Sequence, residues 1–390
     1  GKGREGDDDK VPLWAFAVFL AAALVSALVS DAPGLGMRIA VTGGVAPVAV
    51  WLVARRAVRH PVDIRWLAFG LFGLVIQTGV YALANFNEQA LAASGNLAAF
   101  GGVSDMSASV RIFTVPSAGM AVLLPVVPLA AWHALHGEGR RSRGIVAGLV
   151  MVLALVSVLL SFSRGSWLAA AAAVLLSLPL LFRRIRPGWV LVAVGAAALF
   201  VAAGGSEVAA ELLRFRIEGT NSAHNISGRA NNYLLALASA PRYLLFGVGP
   251  GQYPAVYAAF PEAAASWGTP LWFAHSLLLT LIPEIGLLGA VAFGLPLFRS
   301  VAQGMRGARL KDRAGAFGYA VAAGVTGYLV VASTAGTHLV TYLNTARVEG
   351  TWFTAPALIV TLGLVGAAEG VRKTRGGVNG TVPGAEAGAA

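Results

Sequence analysis

Three residues in this chain have the type and setting to do chemistry together: Arg164 in FSRGSW, Arg229 in NISGRANNY and His275 in FAHSLLL. A guanidinium is always charged, and its planar fork grips phosphate oxygens at two points, so two arginines at one membrane surface suit a pyrophosphate. A neutral imidazole, with an unperturbed pKa of about 6.5, can take a proton from a sugar hydroxyl. Each has a plainer reading. Arg164 between two apolar runs can anchor a helix end by snorkelling to headgroups. Arg229 can be a solvated helix charge, and a lone membrane histidine is more often a packed hydrogen-bonding group. Glu284 follows His275 and would lie roughly two and a half helical turns deeper. A carboxylate inside a span is expensive, and marks either a functional group or the partner of a nearby hydroxyl or amide.

Supporting groups are fewer. His338, Tyr342 and Arg347 in THLVTYLNTARVEG, together with Arg111, either close such a site or solvate the surface. His224 has the same ambiguity. His133 and His136 form an i, i+3 pair without a third ligand in view, and the acidic run Asp7 to Asp9 falls on the expected cytoplasmic side. The expectation is therefore a site with no metal and no cofactor. The chain has no cysteine, which excludes disulfides, thiolate metal sites and cysteine nucleophiles. Walker A, GxSxG and HExxH patterns are also missing from the sequence.

The elements that must position these residues are membrane helices. The chain of 390 residues is 57% hydrophobic and 12% charged, against about 25% charged in soluble proteins. Runs of roughly 20 apolar residues suit a hydrocarbon core about 30 Å thick. They fall near 12–30, 36–54, 65–84, 114–135, 144–162, 165–182, 188–203, 272–298, 315–335 and 352–368. The fold class expected is an all-α polytopic bundle of about ten to twelve spans forming one membrane domain over 1–390.

Charge sets the orientation. The net charge of +11 would suggest nucleic acid in a soluble protein, but here most Lys and Arg cluster in alternate connections, as in RRAVR and RRSR. By the positive-inside rule those connections and both termini are cytoplasmic, and nucleic acid is not an expected partner. Arg38, Arg111, Arg164, Arg214, Arg216, Arg229, Arg242 and Arg347 stand outside that signal. Several belong to a long loop over 204–271, between the seventh and eighth spans. There Ser227 is expected to cap an amphipathic helix with apolar positions Ala230, Tyr233, Leu234 and Leu237, ending at Pro241 and carrying Arg229 in its first turn. The stretch FGVGPGQY follows, with three glycines at alternate positions, a tight turn whose backbone N–H groups could approach an anion.

SRGSW, the large loop with Arg229 and GVGPGQY, and His275-Ser276 followed by Gly286-Leu287-Leu288-Gly289 together resemble the bacterial O-antigen ligase and polymerase family. The H-[NSQ]-x9-G-x-x-G pattern is the most specific of these elements, and the resemblance covers about 160 to 300. It implies a C-type glycosyltransferase-like membrane fold and inverting glycosyl transfer at the outer face of the bacterial inner membrane. It also implies a donor glycan on undecaprenyl pyrophosphate and a sugar or lipid A core acceptor. Arg164 and Arg229 match the family's pyrophosphate-binding arginines, and His275 matches its general base. Glu284, His338, Arg347 and Arg111 are the supporting candidates.

Within the family, ligation to lipid A core and polymerisation of repeat units both remain open. A peptidoglycan polymerase of the shape and division family would want a catalytic acid in the long loop, where Glu207, Glu211, Glu218 and Glu262 form no recognisable pattern. A transporter or lipid flippase should show repeated halves, with broken helices and buried charges meeting at mid-membrane.

Overall fold

Backbone N–H and C=O groups in an apolar medium need partners within the chain, which leaves helices as the natural answer for a sequence this hydrophobic. The computed structural model describes residues 11–59, 63–64, 70–73, 75–76, 124–136, 141–160, 164–181, 221–261, 274, 276–306, 312–334 and 356–379. Every regular element among them is helical, with no strand among the described residues.

The helices are α1 (Val11–Leu28), α2 (Pro33–Ile39), a π-helical turn (Ala40–Val45), α3 (Ala46–Ala57), α4 (Val126–His136), α5 (Arg141–Leu160) and α6 (Arg164–Leu181). They continue with α7 (Asn221–Ser239), α8 (Tyr253–Ala259), α9 (Leu277–Arg306), α10 (Arg313–Thr334) and α11 (Pro356–Asn379). Among the described residues, four stretches are long and apolar enough to cross a membrane: Val11–Leu28, Pro33–Ala57, Leu277–Arg306 and Arg313–Ser333. These match expected spans, as do α5, α6 and α11 in position. Of 114–135 only the second half is described, and 65–84 and 188–203 lie largely or wholly outside the described residues.

Each long helix divides its surface between protein and surroundings. In α1 the buried side chains Ala15, Phe16, Phe19, Ala22, Ala23, Ser26 and Ala27 follow the helical repeat, while Leu13, Trp14 and Leu28 are exposed. In α9 the exposed Leu288, Val291, Leu295 and Phe298 form an apolar stripe suited to lipid.

Close approaches are made through small residues, as in other membrane bundles. Helix α3 packs on α11, where a Cβ at Gly366 would stand 2.3 Å from the Trp51 carbonyl oxygen and one at Gly370 would stand 2.3 Å from that of Val58. Arg55 at this seam stacks over Trp51 at 5.1 Å and pairs with Glu369 at 3.4 Å. Helix α10 packs against α9, α6, α4 and α11, and Phe317, Ala320, Val325 and Tyr328 are all buried. His133 is spent in this core, edge-on to Phe72 at 5.8 Å.

The π-turn in the second apolar stretch has a local cause. Pro47 offers no N–H to the Gly43 carbonyl, and Ala46 N–H reaches back five residues to Val41. The turn lies against the middle of α1, with Gly44 against Phe19 and Leu20.

Candidate active site around the helix break

Helix α9 is broken. Gly286 has φ 88° and ψ 158°, a conformation that stops the helical ladder inside an otherwise continuous run from Leu277 to Arg306. An unbroken helix would join the carbonyls of Pro283 and Glu284 to the N–H groups of Leu287 and Leu288. Instead the segment 243–249 enters the gap. Val248 and Gly249 donate to the carbonyls of Pro283 and Glu284 at 2.8 and 3.0 Å, and Leu287 and Leu288 donate to the carbonyls of Tyr243 and Leu244 at 2.9 and 3.0 Å. All four groups freed by the break are satisfied, which is what allows irregular backbone within an apolar bundle.

This arrangement explains the glycines of GVGPGQY and corrects their expected role. Gly247 sits so close that a Cβ would fall 2.2 Å from the Glu284 carbonyl carbon, and its N–H donates to Ser26 Oγ in α1. Gly249 and Gly251 adopt positive φ. The turn's N–H groups are therefore engaged within the protein rather than free for a ligand anion. Those of Gly251 and Tyr253 reach the carboxyl of Glu284 itself.

Glu284 is 1% exposed, and its Oε1 is buried without a hydrogen-bond partner. It lines a cavity of about 20 Å³ with Phe19, Ala23, Gly43, Gly44 and Pro250, enough room for one water molecule. The costly carboxyl thus has a structural partner set, which is one of the two readings open from the sequence.

A second tier rests on this loop. Asn232 in α7 is buried, and its backbone carbonyl accepts from the Tyr253 hydroxyl at 3.3 Å. Its side-chain Oδ1 accepts a hydrogen bond from Tyr257. Burial first, then Tyr257 and Glu284, push the Tyr253 phenol well above its ordinary value. Tyr233 of α7 also donates to the Ser333 carbonyl of α10 at 3.1 Å.

Helix α7 begins at Asn221, so Ser227 lies inside it rather than capping it, and Arg229 falls in the third turn rather than the first. Its buried face is Asn232, Leu235, Ala236 and Ser239, while Ala230, Leu234 and Leu237 are exposed. Of the apolar stripe read from the sequence only Tyr233, half-buried, turns to the protein. Asn232, Ala236 and Ser239 make the contact together with Leu235, while Leu234 and Leu237 point away from the protein.

Of the catalytic candidates, Arg164 opens α6 and Arg229 lies in α7. His275, His338, Arg347, Arg111 and His224's side chain lie outside what the structure describes. The residues beside His275 are held firmly. Ala274 N–H donates to Thr280 Oγ1 at 3.1 Å, and the Ser276 carbonyl accepts from that hydroxyl at 2.7 Å and from Thr280 N–H at 2.8 Å. Thr280, Asn232, Tyr253 and Tyr257 were not singled out from the sequence. The i, i+4 spacing of the two tyrosines after a glycine turn was the only local signal.

Residues 149–294 match the family model for O-antigen ligase. That segment is similar to the O-antigen ligase family. It contains Arg164, Arg229, His275 and Glu284, and its Gly286 and Gly289 are the break and a close contact with Ala22, where a Cβ would stand 2.9 Å away. No curated protein matches the chain. The match supports the O-antigen ligase and polymerase family, whose members are membrane glycosyltransferase-like proteins acting on lipid-linked glycans and an acceptor.

Proposed function

We propose that this protein is an inverting glycosyltransferase of the O-antigen ligase type. It moves a glycan from undecaprenyl pyrophosphate to a sugar hydroxyl, with lipid A core as the acceptor, at the outer face of the bacterial inner membrane. The observation that carries this reading is the family match over 149–294, which spans all three chemistry-bearing residues. The proposed architecture is a single membrane domain of about ten spans, with both termini cytoplasmic and 204–271 as a large outward loop.

The chemistry divides between two faces of the anomeric carbon. His275 takes the proton of the acceptor hydroxyl as that oxygen attacks, and the bond to the pyrophosphate oxygen breaks on the opposite side. Arg164 and Arg229 carry the charge that develops on the leaving pyrophosphate, work that fixed guanidinium groups do without reorganising. His338, Arg347 and Arg111 support the substrates. Glu284 supports the loop rather than touching a substrate, given its burial and partners.

Repeat-unit polymerisation uses the same machinery with a second glycan as acceptor. A transporter is less well supported. The break in α9 and the buried Glu284 are two of its marks, but the break is filled by the 243–249 backbone instead of facing a polar cavity.

The test is transfer in detergent from purified undecaprenyl-pyrophosphate glycan with excess chelator, comparing wild type with Arg164→Ala, Arg229→Ala and His275→Ala. Product on added lipid A core, lost in the variants, is the expected result. A ladder from donor alone identifies a polymerase, and near-wild-type rates in folded variants sink the site assignment.

A further inference from the structure

Two chemistry-bearing parts of the proposed site belong to different elements. Arg229 lies on α7, and His275 immediately precedes the region of Ser276 and Leu277 where α9 begins. Their relative placement therefore depends on whatever joins α7 to α9.

A continuous chain of polar contacts does this. It starts at Glu284, whose carboxyl meets the N–H groups of Gly251 and Tyr253 at the start of α8. Helix α8 then presents Tyr253 and Tyr257, aromatic rings 5.9 Å apart, whose hydroxyls both reach Asn232. Asn232 is three positions after Arg229 on α7, so holding this residue holds that turn.

Each member is enclosed. Asn232, Tyr253, Tyr257 and Glu284 are 2%, 0%, 3% and 1% exposed. A polar group in such surroundings without its partner carries the full desolvation cost, so the contacts favour one arrangement of α8 over its neighbours. Leu235, Ala236, Val256 and Ala274 pack around the tyrosines as a small apolar cluster distinct from the main core. Ala274 is the residue before His275, so the same cluster touches both ends of the connection.

We propose that Asn232, Tyr257, Tyr253 and Glu284 are positioning residues that set the α7 arginine against the start of α9, and so govern binding of the lipid pyrophosphate donor. This rests on the glycosyl-transfer reading for its consequence, but its mechanics can be measured without that activity.

The experiment uses the full chain in detergent. Because the protein has no cysteine, Leu237→Cys on α7 and Leu295→Cys on α9, both exposed, give an unambiguous spin-label pair. The parent pair should show one narrow distance distribution. Tyr257→Phe, which removes only a hydroxyl, and Asn232→Ala should each broaden it, and the double substitution should be no worse than the more severe single one, because both delete the same bond.

With undecaprenyl-pyrophosphate glycan as donor, each variant should raise the donor KM about tenfold, the worth of one buried hydrogen bond, while kcat stays within about twofold. An unchanged distance distribution in both variants overturns the relay whatever the transfer assay gives. A broadened distribution with unchanged donor KM overturns its role in donor binding. If the wild type transfers nothing, the glycosyl-transfer reading fails, and the distance measurement still decides the relay.

Discussion

Adding one methyl group at Gly286 should undo the junction between loop and span. The native φ of 88° with ψ of 158° lies where only glycine is comfortable, and forcing alanine there costs roughly 1–3 kcal/mol. The new Cβ would also stand 2.5 Å from the Leu245 carbonyl carbon and oxygen and 2.8 Å from the Phe246 nitrogen, all backbone atoms that have no side-chain freedom to yield. Moving the loop away breaks the bonds from Leu287 and Leu288 to Tyr243 and Leu244. With strain and two orphaned donors, the total destabilisation is roughly 3–9 kcal/mol.

Gly247→Ala separates the causes. It keeps an ordinary φ but places a Cβ 2.2 Å from the Pro283 oxygen, so it should lose the steric part alone. Gly318→Ala is the control, a helical site with nothing within 4 Å, where alanine should stabilise by up to about 1 kcal/mol. Thermal unfolding in a mild detergent is the assay, with the three variants side by side. If Gly286→Ala and Gly247→Ala both melt within about 1 kcal/mol of the control, the loop does not occupy the break and the account of the GVGPG and G-x-x-G glycines is wrong.

Further outcomes follow from other contacts. Gly366→Leu should drive α3 and α11 apart and lower the unfolding temperature far more than Gly144→Leu, at an exposed position where a Cβ meets nothing within 4 Å; equal melting would refute the close seam. Thr280→Val keeps shape but removes the hydroxyl that ties Ala274 to Ser276. It should reduce transfer about tenfold in a protein that still folds, and a rate equal to wild type would show that these ties do not set the His275 environment. Tyr253 adds an alkaline limb to stability. Its folded pKa is raised, so its contribution is complete below the unfolded phenol value of about 10 and is lost as pH rises through the folded one. Unfolding followed from pH 8 to 11 should show Tyr253→Phe losing less stability than wild type, and parallel curves would contradict the burial.

That the chain is built of apolar helices is legible from its residues alone, because roughly 20-residue runs with little charge have few other ways to satisfy their backbone. The sequence placed α1, α5, α6 and α10 within a few residues, since charges, Pro and Gly bound those runs, while α9 starts five residues later and ends eight later than expected. It also located the family segment, as the spacing from His275 to Gly286 and Gly289 is local information.

Tertiary structure decided what those glycines do. Nothing near Gly286 reveals that its freed backbone groups are satisfied by residues some forty positions earlier in the chain. The N–H groups of GVGPGQY read as a possible anion site because a sequence does not show which donors are already engaged. Only the fold brings Glu284 to them. Helix α7 departs from the expectation for a related reason: the pattern of apolar residues names one face, but burial of Asn232 and Ser239 follows from contacts with other elements that only the fold supplies. Asn232 and the two tyrosines, unremarkable in the sequence, became the connection between Arg229's helix and the start of α9 only through contacts that cross between elements.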